Sequence, residues 1–311
     1  MPALPHDEAR DDTPSPIAAP PDASGDDAEG DGPLDETDTA SEPPACSFGG
    51  FGEPAPIAGL DRSLSLWAPG LSADGQTLYF AASPTSTVEA LFSTKRVSRS
   101  RVSEPTRLVA LESGDGEGTP FPSFDGLTLY FYSERDADGD RDLWFGTRAD
   151  VASEFGDPRP LFGINTTALD HLPWLSADEL TMLFVSSRQG GLGQSDIWIA
   201  TRQNRNVSFF NERPLVGVNT DRDEGRAVMS RDGLTLFFTS TRDGGQGAHD
   251  IWTATRADRD AAFGPPENVS ALNSAGGDLD PFLSSNEREL WFSSDRDGIV
   301  GLWRAVRDCA D

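Results

Sequence analysis

Four carboxylates recur at one register of this chain. Glu117, Asp170, Glu224 and Asp278 are spaced 53, 54 and 54 residues apart, and each stands three residues ahead of a Pro or, once, Ala227. Acids repeated in this way have three possible uses. Two of them can hydrolyse a glycosidic bond, one as acid and the other as base or nucleophile. A ring of them at a pore can hold a cation through oxygen ligands. Alternatively, each can serve its own repeat by accepting backbone N–H bonds. Catalysis needs inequivalent acids whose surroundings push their pKa values apart. Four equivalent acids therefore point first to structure, then to a cation-lined channel, and last to an enzyme.

Residues that break the repeat carry more information about a ligand. Trp67, His171 and Arg226 are expected to share one rim position two residues before the Pro, with Gly118 and Leu279 completing the set. An aromatic plane, an imidazole and a guanidinium suit a binding surface. The expected ligand-binding set is thus Trp67, His171 and Arg226 beside Glu117, Asp170, Glu224 and Asp278. The loop Asp136-Ala-Asp138-Gly-Asp140-Arg-Asp142 alternates carboxylates as a Ca²⁺ loop does, but it lacks the EF-hand order and reads as a solvated turn. The three histidines, His6, His171 and His249, are scattered and suggest no zinc site. No metal and no cofactor is expected. Gly-x-Ser-x-Gly, phosphate-loop and dinucleotide fingerprints are absent from the sequence.

The elements that position these residues follow from a second repeat. The block Ser72-Ala-Asp-Gly-Gln-Thr-Leu-Tyr-Phe80 returns at Ser123–Phe131, Ser176–Phe184, Ser230–Phe238 and Ser284–Phe292, with offsets of 51, 53, 54 and 54 residues. A fixed period of this size signals a repeat architecture. Ser-x-Arg follows at Ser133/Arg135, Ser186/Arg188, Ser240/Arg242 and Ser294/Arg296, then Asp-Leu/Ile-Trp at Asp142, Asp196 and Asp250. One Arg and one Asp per repeat on adjacent strands suggest an internal ion pair or backbone bonds. Asp-Gly pairs mark tight turns, and the runs after them are β-branched and aromatic. Each repeat yields four short strands: the Pro-x-x-Ser segment, the Leu-Tyr-Phe run, the Asp-Ile-Trp run and the stretch from Pro158 to Asn165. Four antiparallel strands per repeat make a β-propeller blade. The fold class is therefore all-β, a five-bladed β-propeller of four-stranded antiparallel blades.

The ring is expected to close with a split blade. Phe51-Gly-Glu-Pro54 matches Phe155-Gly-Asp-Pro158, so the N-terminal segment supplies a fourth strand that the fifth repeat lacks. Such closure leaves no long unpaired edge. Cys46 and Cys309 both align with Asp258, in the loop joining the third and fourth strands, where the covalent connection is missing. A Cys46–Cys309 disulfide is expected, worth about 2–4 kcal/mol. It would imply an oxidising compartment.

Residues 1 to 45 hold 13 acids against one Arg and no aromatic residue. Such a segment cannot bury enough apolar surface to fold, so a disordered tail precedes a propeller over residues 46 to 311. Removing the tail's −12 from the whole chain's −27 leaves the propeller at −15. That field argues against nucleic acid and anionic membranes as partners. The sequence contains no transmembrane run and no apolar signal segment, so export would need a start upstream of Met1 or another route.

The run Pro-x-x-Ser-x-Asp-Gly-x-Thr-Leu-x-Phe, then Ser-x-Arg, then Asp-Ile-Trp, resembles the WD40-like β-propeller repeat of the TolB type. So does the preceding Asn-Ser/Thr-x-x-x-Asp/Glu at Asn165–Asp170, Asn219–Glu224 and Asn273–Asp278. The resemblance covers residues 46 to 311. It implies a bacterial propeller in the periplasm or outside the cell that acts through contacts with a protein or a small carbohydrate or peptide ligand. The chain departs from TolB in lacking a matching N-terminal domain and in having five blades rather than six. The expectation is a monomeric, non-catalytic binding or scaffold protein. The alternative is a five-bladed glycoside hydrolase working through channel carboxylates.

Overall fold

The computed structural model describes residues 48–83, 88–136 and 139–309. The tail over residues 1 to 45, Cys46 and part of the Asp136–Asp142 loop lie outside the described residues. Within them the chain forms five four-stranded antiparallel sheets. The first blade is β2 (Leu66–Leu71), β3 (Thr77–Ala82), β4 (Ala90–Lys95) and β5 (Thr106–Arg107). The second is β6 (Glu117–Pro122), β7 (Thr128–Ser133), β8 (Asp142–Thr147) and β9 (Gly156–Pro160). The third is β10 (Asp170–Leu175), β11 (Thr181–Ser186), β12 (Asp196–Thr201) and β13 (Phe210–Pro214). The fourth is β14 (Glu224–Met229), β15 (Thr235–Ser240), β16 (Asp250–Thr255) and β17 (Glu267–Asn268). The fifth holds β18 (Asp278–Leu283), β19 (Glu289–Ser294) and β20 (Gly301–Val306), with β1 (Ala55–Pro56) on its outer edge. The innermost strands β2, β6, β10, β14 and β18 pack one against the next, and β18 returns to β2. The protein is a five-bladed β-propeller.

The recurring block is legible as turn chemistry. In the second blade Ser123 Oγ donates to Asp125, Asp125 accepts from the Leu127 N–H, and Ser123 Oγ accepts from the Thr128 N–H. The same three bonds recur at Ser176, Asp178 and Thr181. Gly126 sits at φ 70°, the left-handed region that a tight turn demands. The third and fifth blades put Glu179 (φ 57°) and Glu287 (φ 60°) there instead. The Arg four residues beyond the strand aromatic ties the next loop back to this turn. Arg148 Nε donates to the Gly126 carbonyl, and its guanidinium lies 4.3 Å from the Phe155 ring centroid.

The core is the stack of sheet faces. Phe80, Phe131, Phe184, Phe238 and Phe292, one per blade, are all buried. Each contributes roughly 1.5–3 kcal/mol by leaving water. The fourth strand is shorter than expected, ending at Pro160 rather than Asn165. Asn165 instead turns its side chain onto the strand beside it, bonding the Leu143 N–H and carbonyl. At the N-terminal edge, Ala55 pairs with Arg304 and Pro56 with Trp303. The Arg307 guanidinium stands 4.9 Å from Phe51, the counterpart of Arg148 on Phe155.

Every innermost strand carries an irregularity at its centre, where the ladder to the second strand shifts register. Four blades place a non-glycine residue there in the left-handed region: Ala68, Thr119, Leu172 and Asp280, all at φ 52–54°. Each such residue stores of order 1 kcal/mol of strain. The fourth blade puts Arg226 at this place without a positive φ.

Candidate functional site

The four repeated acids stand where the innermost strands begin, and all are buried. Each is held in a clasp made by its own blade. Glu224 accepts from the Thr220 N–H and hydroxyl, from Ser240 Oγ at 2.9 Å and from Arg242 at 3.1 Å. Asp170 accepts from Thr166 and from Arg188 at 2.6 Å, and Asp278 from Ser274 and from Arg296 at 2.6 Å. Glu117 is held by Ser113, Ser133 and Arg135. The clasp Arg then donates to a backbone carbonyl, such as Val218 for Arg242, and lies over the strand Trp, 4.5 Å away for Arg135 on Trp144. The expectation of backbone N–H bonds to these acids is met. Of the two uses expected for the Ser-x-Arg and Asp-Ile-Trp residues, backbone bonds are present and the ion pair is corrected: the Arg partner is the acid that opens the innermost strand. Asp196 and Asp250 instead accept backbone N–H bonds from the loops before them.

The register also corrects Arg226. Trp67 pairs with Ala81, Gly118 with Tyr132, His171 with Val185 and Leu279 with Ser293. In the fourth blade Glu224 pairs with Ser240 and Ala227 with Phe238, which leaves Gly225 at the shared position. Arg226 is one residue further in, level with Ala68, Thr119, Leu172 and Asp280. It reaches from the fourth blade across the axis, donating Nη1 to the Pro69 carbonyl and Nη2 to the Pro120 carbonyl, both at 3.1 Å. It is fully buried, and no carboxylate of the described residues forms an ion pair with it. Desolvation pulls its pKa down to about 10, with Asp280 opposing. Burial in turn pushes the Asp280 carboxyl up, against the pull of Arg226. Arg226 Nε, Thr119 Oγ1 and Thr239 Oγ1 are buried without a hydrogen-bond partner. Arg226 is thus a plug in the channel, not a rim residue.

At the mouth where the innermost strands begin, Trp67 and His171 remain half-buried. His171 meets the edge of Tyr132, ring centroids 6.4 Å apart. Burial, and then the Arg141 charge, push its imidazole down to about 3. Tyr132 donates its hydroxyl to Glu89, and the Arg141 guanidinium lies 4.5 Å over the tyrosine ring while bonding Glu134 at 2.9 Å. Burial, then Glu89, raise the Tyr132 pKa. A Cβ on Gly118 would stand 2.4 Å from the Tyr132 ring, so the arrangement needs glycine there. The sequence singles out none of Tyr132, Glu89 and Arg141 as a site residue, and it gives Gly118 only as a member of the shared rim position. The available signal was Tyr132 itself, whose counterparts are Ala81, Val185, Thr239 and Ser293.

The opposite mouth, where the innermost strands end, is a depression open to solvent. Phe121, Trp174 and Phe282 line it, with Phe124, Glu179, Arg231 and Glu287 from the turns. Among the described residues no group of three His, Cys, Asp or Glu side chains could hold a metal ion, and no helix is long and apolar enough to cross a membrane.

No protein-family model matches the chain, and no curated protein matches it. Solved structures do. The catalytic domain of the Coprinopsis cinerea GH62 α-L-arabinofuranosidase aligns at TM-score 0.55 and 12% identity, over 86% of this chain and 100% of that one. A family 117 glycoside hydrolase from the marine bacterium Zobellia galactanivorans aligns at TM-score 0.52 and 11% identity, over 85% and 91%. A protein described as TolB from Agrobacterium tumefaciens aligns at TM-score 0.47 and 19% identity, over 74% and 70%. At such identities the hydrolase alignments speak to fold alone, and the fold they share with this chain is the propeller.

Proposed function

We propose that this protein is a non-catalytic, monomeric binding propeller whose ligand surface is the mouth bearing Trp67 and His171. One observation carries the reading: each repeated acid is buried and clasped by hydroxyl, N–H and guanidinium donors of its own blade. A carboxylate tied into its own blade by a guanidinium and by hydroxyl and N–H donors serves the fold and is poorly placed to exchange a proton with a substrate. The mouth around His171 offers an aromatic plane, a neutral imidazole, a carboxylate and a guanidinium, a set suited to polar contacts with a carbohydrate or a peptide. The rival reading is glycoside hydrolysis, and it is favoured by one observation. Asp280, on the axis outside every clasp, has its carboxyl pushed up by burial, as a general acid requires. The test is a panel of aryl glycosides and polysaccharides against the wild type, Asp170→Asn, Glu224→Gln and Asp280→Asn. Turnover abolished by one of these changes in a folded protein would end the binding reading. Absence of turnover, with glycan or peptide array binding lost in Trp67→Ala and His171→Ala, is the expected result.

The proposal extends to an oxidising, extracytoplasmic compartment through a Cys46–Cys309 disulfide. In its support, Phe48 bridges Cys309 and the Gly49 N–H bonds the Asp308 carbonyl at 2.9 Å, which brings the chain beside Cys309 two residues after Cys46. Mass spectrometry of a non-reduced tryptic digest should find the linked peptide. Its absence from protein folded under oxidising conditions would remove the case for export.

A further inference from the structure

We propose that the depression at the mouth opposite His171 is the docking site of a segment of this chain's own N-terminal tail, residues 32–38, with Leu34 seated among the aromatic rings. The floor is apolar and shared by the whole ring. Leu71, Phe121, Trp174, Met229 and Phe282 line it, one from each innermost strand in turn. Phe121 meets Trp174 at 6.5 Å and Phe282 at 5.8 Å, and the half-exposed Phe124 extends the wall at the rim. Open apolar surface rimmed by charged residues marks an interaction site.

The place where the described chain begins points to the occupant. Phe48 lies under the Arg307 guanidinium, 4.2 Å from Cζ to ring centroid. Arg307 Nη2 stands 3.8 Å from Glu287, a residue of the depression's lining. Residues before Phe48 therefore join the propeller beside this mouth. Leu34 is fourteen residues back, a reach of up to about 46 Å. It is the one Val, Ile, Leu, Met or aromatic residue between positions 18 and 47, and Asp35, Glu36 and Asp38 follow it. A stretch with too little apolar surface to fold alone can still order a few residues on a surface.

The charges at the rim suit those acids. Glu179 is already paired with Arg202 and Arg205, and Glu287 with Arg307. The turn aspartates Asp178 and Asp232 are each engaged by a Ser hydroxyl and a backbone N–H. Arg231 and Arg259 are exposed and side by side, with Arg259 Nη2 donating to the Arg231 carbonyl at 3.3 Å. Among the described residues neither has a carboxylate within ion-pair distance. The propeller's −15 is spread over its surface and screened beyond about 8 Å at physiological ionic strength, so these two guanidinium groups act on the segment at close range.

The test follows the Trp174 indole N–H by NMR in the full chain, assigned with Trp174→Phe. Leu34→Ser, a change outside the propeller, should move that signal. Acetyl-Gly-Pro-Leu-Asp-Glu-Thr-Asp-amide, added to the Leu34→Ser protein, should return it toward the wild-type position. Half-saturation is expected near the effective concentration of a short tether, about 1 mM. The peptide carrying Leu34→Ser should have no effect. Arg231→Ala in the Leu34→Ser background should weaken the peptide about threefold at low salt, and about 0.5 M NaCl should remove that difference. A Trp174 signal indifferent to Leu34→Ser, or to the leucine peptide, would overturn the proposal. A wild-type signal that changes with protein concentration would also overturn it, in favour of the tail of a second copy. Trp67 and His171 are on the other mouth, so their binding data bear only on the preceding proposal.

Discussion

Two buried ionic arrangements stand a few residues apart on the innermost strands, and they are built on opposite principles. The clasp at the start of the innermost strand is repeated in four blades and ion-paired in each. In the fourth blade the Glu224 carboxylate meets Thr220, Ser240 and Arg242, and Arg242 also bonds the Val218 carbonyl. The Arg226 plug occurs once and is incomplete: two carbonyl bonds, no paired carboxylate and an unpartnered Nε. The contrast separates architecture from specialisation. Repeated charges are satisfied locally, so each blade can fold and stack with its own polar groups paired. The unrepeated charge is satisfied only across the axis by the first and second blades, so it depends on the assembled ring.

The largest effect should come from breaking a clasp. Arg242→Met leaves Glu224, almost wholly buried, without its cation. Removing one partner of a buried pair costs about 3–5 kcal/mol, or roughly 10 °C in Tm for a domain of this size. Thermal denaturation checks it, and a loss below 1 kcal/mol would erase the contrast. Arg226→Met should cost less, about 1–3 kcal/mol. It strands the Pro69 and Pro120 carbonyls but also removes a charge that burial already disfavours. The double change Arg226→Met with Asp280→Asn should recover part of that loss, because Asp280 is the carboxylate that Arg226 offsets. A double mutant equal to the sum of the singles would show that the plug and Asp280 are independent.

The same contrast explains what could be read from sequence. Turn chemistry is local, so Ser-x-Asp-Gly-x-Thr and its two variants at Ser176 and Ser284 announce five turns that the hydrogen bonds reproduce. The clasp partner was missed because Arg242 and Glu224 are eighteen residues apart, joined by strand pairing and not by neighbourhood. The sequence alignment sets Arg226 one residue out. Its blade has Ala227 where the others have Pro, and the register shift in the strand hides the offset. Tyr132 does not stand out in sequence because the second strand reads as an apolar run. Its hydroxyl matters only beside Glu89 of the preceding blade, in space that Gly118 leaves open.

The smallest expected effect tests whether the His171 mouth is as sensitive to its surroundings as the plug. Burial, then Arg141, hold this imidazole near pKa 3, against an ordinary value of 6.5. Between those values the unfolded chain takes up a proton at this residue and the folded chain does not. Stability from this group is therefore complete above pH 6.5 and falls as the pH drops toward 3. At pH 5 the full shift corresponds to about 2 kcal/mol, and partial solvent screening brings it nearer 1 kcal/mol. His171→Gln keeps a polar side chain of similar reach and cannot titrate. Urea unfolding at pH 7 and pH 5 should show the wild type losing about 1 kcal/mol more than the variant over that interval. Carboxylate titration contributes to both proteins and cancels in the difference. Equal losses in the two would mean that the imidazole takes up its proton in the folded state. The mouth would then be wet enough to solvate the charge, and Trp67 and His171 would face a ligand across water and not in a dry pocket.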